Sequence, residues 1–256
     1  MEKLIFEEFP KKRTELPIEY QKIYEKHYTE NRNGQTKMSF LSQKMESWLH
    51  KSVARTSSTN KKTLEIGAGT LNQLKYEKNT IYDIVEPFEA LYKNSPELKR
   101  INKIYKDISE IRNDEKYDRI ISCACFEHIL NLPEVVARSC VLLNNTGGGG
   151  GVLCTSIPNE GRFLWKFAYT MTTGLEFKRR YNLDYEIIMK HEHINTADEI
   201  EKILGYFFRN TSKNIFGINK TFALYRYYEC KNPIIEKALE YLNNKIKSNE
   251  MPPEIC

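Results

Sequence analysis

The chain has 256 residues, of which 40% are hydrophobic and 29% are charged, and its formal net charge is +5. This length fits one large domain, or a domain with an appendage, and is long enough for a substantial core. Mean hydropathy is −0.59, and no apolar run approaches the roughly 18–20 residues needed to cross a bilayer, so we expect no membrane-spanning helix. The basic clusters are scattered among acidic residues, which argues against a nucleic-acid partner. The first residues, MEKLIFEEFPKKR, lack the pattern of a secretory signal, so we expect a cytoplasmic protein.

Residues 1–58 are predicted to form a helical cap or lid. Apolar and aromatic residues recur at helical spacing over 17–28 and again over 36–54, where Met38, Leu41, Met45 and Trp48 are three or four positions apart. The polar stretch RTSSTNKK follows. It marks the transition to a different pattern.

Residues 59–230 are predicted to form an α/β core. Short apolar runs alternate with amphipathic segments, which indicates β-α-β units and a doubly wound, mostly parallel sheet. The predicted strands are KTLEIG (62–67), TIYDIVE (80–86), INKIYK (101–106), YDRIISCAC (117–125) and GVLCTSI (151–157), followed by two strands within 206–228 that a turn joins as an antiparallel pair. A helix is predicted over 132–145, with Pro133 in its first turn. Residues 231–256 are predicted to be a final helix and a loose tail.

Five consecutive glycines at 147–151 invite interpretation as a phosphate-binding loop. They lie after a predicted helix and before a predicted strand. Ligands of an open α/β sheet bind at the opposite rim, in loops that lead from strand to helix. The five glycines are therefore predicted to be a spacer. Their codons can form a guanine tract prone to slippage.

A sparser pair, Gly67 and Gly69, has the right position, between a predicted strand and a segment expected to be helical. Glu86 ends the next strand about 20 residues later, where a carboxylate can accept both hydroxyl hydrogens of an adenosine ribose. Asn72 stands where a dinucleotide fingerprint has its third glycine, which counts against NAD. Glu65 suits an ammonium group and a positive sulfonium better than a pyrophosphate.

These residues resemble the class I S-adenosylmethionine-dependent methyltransferases of the small-molecule branch. The resemblance is carried by LEIGAGT (64–70), Glu86, KDI (106–108) and YDRIISCACFEHILNLPEV (117–135). It implies the Rossmann-like methyltransferase fold, with seven strands of which the last is antiparallel. It also implies S-adenosylmethionine as cofactor and S-adenosylhomocysteine as product. The implied cofactor-binding residues are Glu65, Gly67, Ala68 and Gly69 for the methionine part, Glu86 for the ribose, Asp107 and Ile108 for the adenine, and Cys123 and Ala124 near the sulfonium.

An oxygen acceptor also needs a base whose pKa is near neutral, for which histidine is suited. The candidates are His128, His191 and His193, of which we favour His193 because this fold commonly carries its substrate-recognition segment between strands five and six. That segment is predicted at about 158–195. Its Arg162, Arg179, Arg180 and Tyr181 either bind an anionic or hydroxyl-rich acceptor or are surface residues.

No metal site is predicted. The six cysteines lack zinc-ligand spacing, and the pair His191 and His193 has no partner motif. We expect the cysteines to be reduced and mostly interior.

The acceptor is predicted to be a small molecule. The sequence lacks the acceptor motifs of amino-methylating DNA enzymes, cytosine-C5 enzymes and arginine methyltransferases. LSQKMESWLH (41–50) and RYNLDYEIIMKHEHINTADEI (180–200) are similar to methyltransferases of bacterial surface-polysaccharide gene clusters. That similarity implies O-methylation of a capsule-type sugar or an activated phosphorylated precursor. The alternatives are a catalytically silent partner subunit that binds S-adenosylmethionine and, less favoured, an NAD(P)-dependent oxidoreductase.

Overall fold

Seven strands form one sheet in the computed structural model, which describes residues 6–24, 40–78, 81–145 and 150–250. In chain order they are β1 (Thr63–Ile66), β2 (Tyr82–Val85), β3 (Lys103–Tyr105), β4 (Arg119–Cys123), β5 (Val152–Pro158), β6 (Phe208–Gly217) and β7 (Ala223–Pro233). Their order across the sheet is β3-β2-β1-β4-β5-β7-β6. The first five pair in parallel, and β7 is antiparallel to both of its neighbours. The predicted fold class, with an antiparallel last strand, is confirmed.

Helices cover both faces of this sheet. They are α1 (18–24), α2 (Phe40–Ala54), α3 (Glu89–Tyr92), α4 (Leu132–Leu142), α5 (Phe163–Tyr169), α6 (Leu175–Tyr181), α7 (Tyr185–Glu192), α8 (Ala197–Phe207) and α9 (Ile235–Glu250). Among the described residues, no helix combines the length and the apolar character that crossing a membrane requires.

The two faces have separate cores because neighbouring residues of a strand point to opposite sides. In β4, Ile120 packs in the core that includes α4, α8 and α9, whereas Ile121 packs in the core that includes Val53 of α2. Every residue of β1, β2 and β5 is buried. This explains why their sequences are short apolar runs rather than alternating patterns.

The N-terminal segment packs on the helices between β5 and α8. Leu16 and Tyr20 are buried against Phe177 and Ile188. The structure places three helices, α5 to α7, in the region predicted as the substrate-recognition insert. Much of the predicted cap, residues 1–5 and 25–39, lies outside the described residues, and the domain boundaries stay a prediction.

The chain enters β5 from the glycine run at the rim opposite the carboxyl ends of the parallel strands. Gly151 donates its backbone N–H to the carbonyl of Asn144, and Val152 begins β5. Residues 146–149 lie outside the described part of the chain. The described end of the run therefore has the position that the sequence predicted for a spacer.

Candidate functional site

The loop after β1 requires glycine at two positions. Gly67 has φ +73°, and a Cβ atom added to it would lie 2.2 Å from Sγ of Cys125. Gly69 has φ +52° and open space where a side chain would be. Leu71 is also left-handed, at φ 66°, and the chain continues as a 3₁₀ turn over Asn72–Tyr76 rather than as a regular α-helix. The loop thus exposes backbone at the end of β1.

Glu86 connects this loop to the end of β2. Its side chain is buried; Oε2 accepts from the N–H of Gly69 at 2.8 Å, and Oε1 accepts from the N–H of Phe88 at 3.0 Å. Two backbone donors therefore hold the carboxylate in place. A carboxylate oxygen has a second lone pair, so each remains able to accept from a ligand hydroxyl.

Glu65 lies in β1 and is buried. The hydroxyl of Tyr82 donates to its Oε2 at 2.9 Å. Burial raises the pKa of Glu65 to about 8, although the hydrogen bond from Tyr82 acts in the opposite direction. At neutral pH this carboxyl group is mostly protonated, and a cationic ligand group beside it would favour its ionised form.

Asp107 and Ile108 follow β3. Asp107 is exposed, and its Oδ1 accepts from the N–H of Ser109 at 2.7 Å, which begins a short 3₁₀ turn. Ile108 is buried in the core. The N–H of Glu86 donates to the carbonyl of Tyr105 at 2.8 Å, so the ends of β2 and β3 are adjacent.

Cys123 and Ala124 lie where β4 ends. Ala124 has φ +49°, and its N–H donates to the carbonyl of Ser156 at 2.8 Å. Burial raises the pKa of the Cys123 thiol far above its ordinary value and that of Cys125 to about 12. Both are neutral thiols at physiological pH, which argues against a nucleophilic role.

A cavity of about 270 Å³ opens at the carboxyl ends of β4 and β5. Residues from six parts of the chain line it. They are Leu49 of α2, Ala124, Glu127 and His128 after β4, Pro158 of β5, Trp165 and Tyr169 of α5 with Thr173 after it, Tyr185, Met189 and Glu192 of α7 with His193 after it, and Tyr225 of β7. The described lining is rich in aromatic rings, and none of these residues is Lys or Arg.

His193 is held by Glu160, which follows β5. Its Nδ1 is 2.7 Å from Oε2 of Glu160, and the indole N–H of Trp165 donates to the same oxygen at 2.7 Å. Burial opposes protonation of the ring, but the hydrogen bond with Glu160 and the charge of Glu127 outweigh it and raise the pKa of His193. Burial likewise opposes ionisation of Glu160, yet His193 lowers the pKa of this carboxyl.

His128 and Glu127 face His193. The His128 and His193 rings are 4.8 Å apart and nearly perpendicular, and Nδ1 of His128 is 3.0 Å from the carbonyl oxygen of Glu192. The Glu127 side chain is 1% exposed, and its Oε2 has no hydrogen-bond partner among the described residues. Burial raises the pKa of Glu127 to about 7. Two of the three predicted histidines therefore meet in one cavity.

The third histidine lies elsewhere. Nδ1 of His191 is 2.6 Å from the carbonyl oxygen of Thr14, and its ring packs edge-on against Tyr24. It does not line the cavity.

The predicted acceptor-binding residues also lie outside the cavity lining. Arg162 pairs with Asp198, Arg179 is exposed on α6, and the guanidinium of Arg180 lies 5.2 Å from the ring centroid of Tyr181. Their role in acceptor binding stays a prediction.

Solved structures resemble this chain over most of its length. The plantazolicin methyltransferase BpumL, in complex with a monoazolic desmethylPZN analogue and SAH, gives a TM-score of 0.54 at 15% identity, covering 83% of this chain and 92% of that one. A SAM-dependent methyltransferase from Thermotoga maritima, described as a possible histamine N-methyltransferase, gives 0.51 at 14% identity, covering 74% and 95%. The N-methyltransferase NodS from Bradyrhizobium japonicum WM9, in complex with SAH, gives 0.51 at 12% identity, covering 76% and 89%. No family model matches the sequence, and no curated protein matches it significantly.

The fold is that of the S-adenosylmethionine-dependent methyltransferases. In a methyltransferase fold, as in other open α/β sheets, the ligand site lies beyond the carboxyl ends of the strands. Both the Gly67–Gly69 loop and the cavity are at that rim. They share a boundary, because Ala124 lines the cavity and its neighbour Cys125 packs against Gly67.

Sequence reasoning missed Glu127, Glu160 and Trp165. Glu127 had a local signal, since it directly precedes a histidine in the segment after β4, FEHIL. Glu160 and Trp165 had none: only the fold brings the chain after β5 against His193. A hydrogen bond that joins two distant segments leaves no periodic pattern in either.

Proposed function

We propose that the protein transfers a methyl group from S-adenosylmethionine to a hydroxyl oxygen of a small molecule. The observation that carries this proposal is the boundary shared by the Gly67–Gly69 loop and the cavity. A methyl donor in the loop and an acceptor in the cavity would meet at Ala124, and holding two reactants in line supplies much of the catalysis of a displacement at carbon.

The residues at the ends of β1 and β2 fit this donor. The open space beside Gly69 admits a ligand close to the backbone, and Glu86 presents a fixed, buried carboxylate to a ribose. Glu65 would face the ammonium group, with Gly67 and Ala68 along the methionine chain. Asp107 and Ile108 would bracket the adenine, and Cys123 and Ala124 would lie near the sulfonium. When bound, S-adenosylmethionine supplies an electrophilic methyl group on positively charged sulfur.

The acceptor side combines aromatic walls with a polar cluster. Trp165, Tyr169, Tyr185 and Tyr225 offer flat, largely apolar surfaces, which suit the hydrophobic faces of a ring. A surface-polysaccharide sugar remains the predicted acceptor. Any phosphate on it would bind outside the cavity, near the exposed Arg179 and Arg180.

The acceptor hydroxyl must lose its proton as the new bond forms. Glu160 fixes Nδ1 of His193, and a base oriented by a third group is the arrangement that activates nucleophiles. Nε2 of His193 would then accept the proton of the hydroxyl.

The test is transfer of labelled methyl from S-adenosylmethionine to a panel of hydroxylated acceptors, including free sugars, nucleotide sugars and oligosaccharides. Wild-type protein is expected to label at least one class. Glu86→Gln should lose affinity for the methyl donor, whereas Glu89→Gln, an exposed change three residues away, should not. Binding of the donor without transfer to any acceptor would favour the silent subunit, and labelling of RNA alone would contradict the small-molecule acceptor.

A further inference from the structure

Glu127, His128 and His193 bring one carboxylate and two imidazoles to one end of the cavity. Their potential ligand atoms all lie within 4.8 Å of one another. Two imidazoles and one carboxylate form a ligand set that proteins use for divalent first-row transition metals. The mutual distances are close enough for small side-chain movements to place all three around one ion.

Hydrogen bonds orient both imidazoles suitably. Nδ1 of His128 lies 3.0 Å from the carbonyl oxygen of Glu192, which only accepts, so Nδ1 carries the hydrogen. In the neutral ring the lone pair is then on Nε2, which is 3.8 Å from Oε1 of Glu127. Nδ1 of His193 is bonded in the same way to the Glu160 carboxylate. Metal-binding histidines usually have such a partner on the nitrogen that does not bind the metal.

The third ligand is a buried carboxylate with one oxygen that receives no hydrogen bond from the described residues. Glu127 is 1% exposed, its Oε2 has no hydrogen-bond partner within the described part of the chain, and none of the described residues that line the cavity is Lys or Arg. A carboxylate buried in this way is costly unless it is paired or binds a metal. A divalent ion bound by Glu127 would offset the cost of burying this carboxylate.

The backbone fixes the spacing between the two segments that supply these ligands. The carbonyl oxygen of Glu127 accepts from the N–H groups of Ile194 and Asn195, at 2.9 and 3.1 Å. The side-chain amide of Asn195 donates to the carbonyls of Phe126 and Ile129, at 2.9 and 2.7 Å. These four bonds tie the segment after β4 to the segment after α7. The ligand set is therefore held before any ion binds.

We propose that Glu127, His128 and His193 bind a divalent transition-metal ion, of the Mn²⁺ to Zn²⁺ series, and that this ion binds the acceptor hydroxyl. Three protein ligands leave coordination positions open for a substrate oxygen. The ion lowers the pKa of that hydroxyl, as it does for bound water. Because Nε2 of His193 then binds the ion and cannot also take a proton, the O–H bond breaks and its proton passes to solvent water. The oxygen forms the new C–O bond, and the C–S bond breaks with its electron pair remaining on sulfur.

The metal site itself does not depend on the proposed function, whereas its role toward the hydroxyl does. The experiment is therefore a binding titration rather than an activity assay. Full-length protein, freed of any affinity tag and treated with EDTA, is titrated calorimetrically with MnCl₂, ZnCl₂ and MgCl₂. One Mn²⁺ or Zn²⁺ per chain is expected, bound at least tenfold more tightly than Mg²⁺. The electron paramagnetic resonance signal of Mn²⁺ should change on binding.

Variants locate the ion. Glu127→Gln and His193→Asn should each weaken Mn²⁺ and Zn²⁺ binding more than tenfold, and Glu160→Gln should weaken it by a smaller factor through His193. His191→Gln, two residues away but outside the cluster, should bind the ions like the wild type. A cooperative thermal unfolding transition, measured without ligand and compared with that of the wild type, serves as the check that each variant is folded.

The outcomes separate the two proposals. Binding of neither Mn²⁺ nor Zn²⁺ to folded wild-type protein would overturn the metal site, as would undiminished binding by the Glu127→Gln/His193→Asn double variant. Metal binding without any response to S-adenosylmethionine would instead contradict the proposed function and leave the site standing.

Discussion

The two halves of the candidate site are built in different ways. The donor half consists of the end of β1 and the loops after β1, β2 and β3, where the functional residues lie in or directly after their own strand. The acceptor half is assembled from segments far apart in the chain: Glu127 and His128 after β4, Glu160 after β5 and His193 after α7. The donor half thus depends on local conformation. The acceptor half depends on long-range contacts and can change its chemistry without changing the fold.

The largest loss of kcat is expected for His193→Asn. Its control is His191→Asn, a change in the same segment. His193→Asn should reduce kcat by about 100- to 10,000-fold, because it removes the group that activates the hydroxyl, directly or through a cation. The affinity for S-adenosylmethionine should change less than about twofold, since His193 lies in the acceptor half. His191→Asn, which removes a ring bonded to Thr14 outside the cavity, should keep kcat within a small factor. Steady-state kinetics measure kcat of both variants, and calorimetry measures their affinity for S-adenosylmethionine. Equal losses of kcat would contradict the placement of His193, but not His191, in the acceptor half.

Gly67→Ala tests whether the backbone conformation of the loop after β1 is needed for stability and for donor binding. The added Cβ would lie 2.2 Å from Sγ of Cys125, at a residue with φ +73°. Left-handed strain and overpacking together should lower the free energy of unfolding by about 3 kcal/mol. Affinity for S-adenosylmethionine should fall with it. Urea unfolding and calorimetry measure the two effects.

Gly205→Ala is the matched control for that substitution. Gly205 lies within α8, and an added Cβ would meet nothing within 4 Å. Alanine there should raise the free energy of unfolding by about 0.5–1 kcal/mol, because it favours the helix. A Gly67→Ala protein as stable as Gly205→Ala would show that the loop after β1 is not constrained as described.

The raised pKa of Glu65 predicts that donor binding depends on pH. Burial raises the pKa of its carboxyl to about 8, so the free protein carries it mostly protonated at pH 6 to 7.5. An ammonium group beside it favours the ionised form, and binding then releases a proton. Affinity should therefore increase as pH rises toward 8, by at most about tenfold per pH unit. Calorimetry of wild type and Glu65→Gln at each pH gives an affinity ratio that cancels titration of the ligand itself. A ratio independent of pH would remove Glu65 from the ammonium site.

The smallest effect is expected at the cations predicted to bind the acceptor. Arg179→Gln and Arg180→Gln are exposed changes, so each should alter the free energy of unfolding by less than about 0.5 kcal/mol. If a phosphorylated acceptor extends from the cavity to α6, the double variant should raise its KM and leave the KM of the unphosphorylated sugar unchanged. Unchanged KM for both acceptors would assign the two arginines to the protein surface.

Sequence reasoning predicted the donor half well because its signals are local. A strand followed by Gly67 and Gly69, and a strand ending in Glu86, are patterns that a single segment contains in full, and the structure brings both to one rim. The five parallel strands followed from short apolar runs for the same reason, and β6 and β7 followed from the turn that joins them. The helix expected after the glycines was only partly right: left-handed Leu71 leads into a 3₁₀ turn.

The acceptor half was predicted only in part. His128 and His193 were chosen for their chemistry, and the structure places them 4.8 Å apart, but the same reasoning also chose His191, which points to Thr14 instead. Neighbouring residues at a helix end face different surroundings, and the sequence does not say which of them faces the cavity. Arg162 illustrates the same limit, because its partner Asp198 is known only from the packing of α8.

The central claim is that the loop after β1 binds S-adenosylmethionine. The most direct test is a thermal-shift titration with S-adenosylmethionine, S-adenosylhomocysteine, NAD and NADP, since a ligand of the native state raises the melting temperature as its concentration exceeds its Kd. We expect a rise in melting temperature with the two sulfur compounds, a much smaller rise in Glu86→Gln, and none with the dinucleotides. A rise with NAD or NADP alone would contradict the central claim and assign the glycine loop to a pyrophosphate.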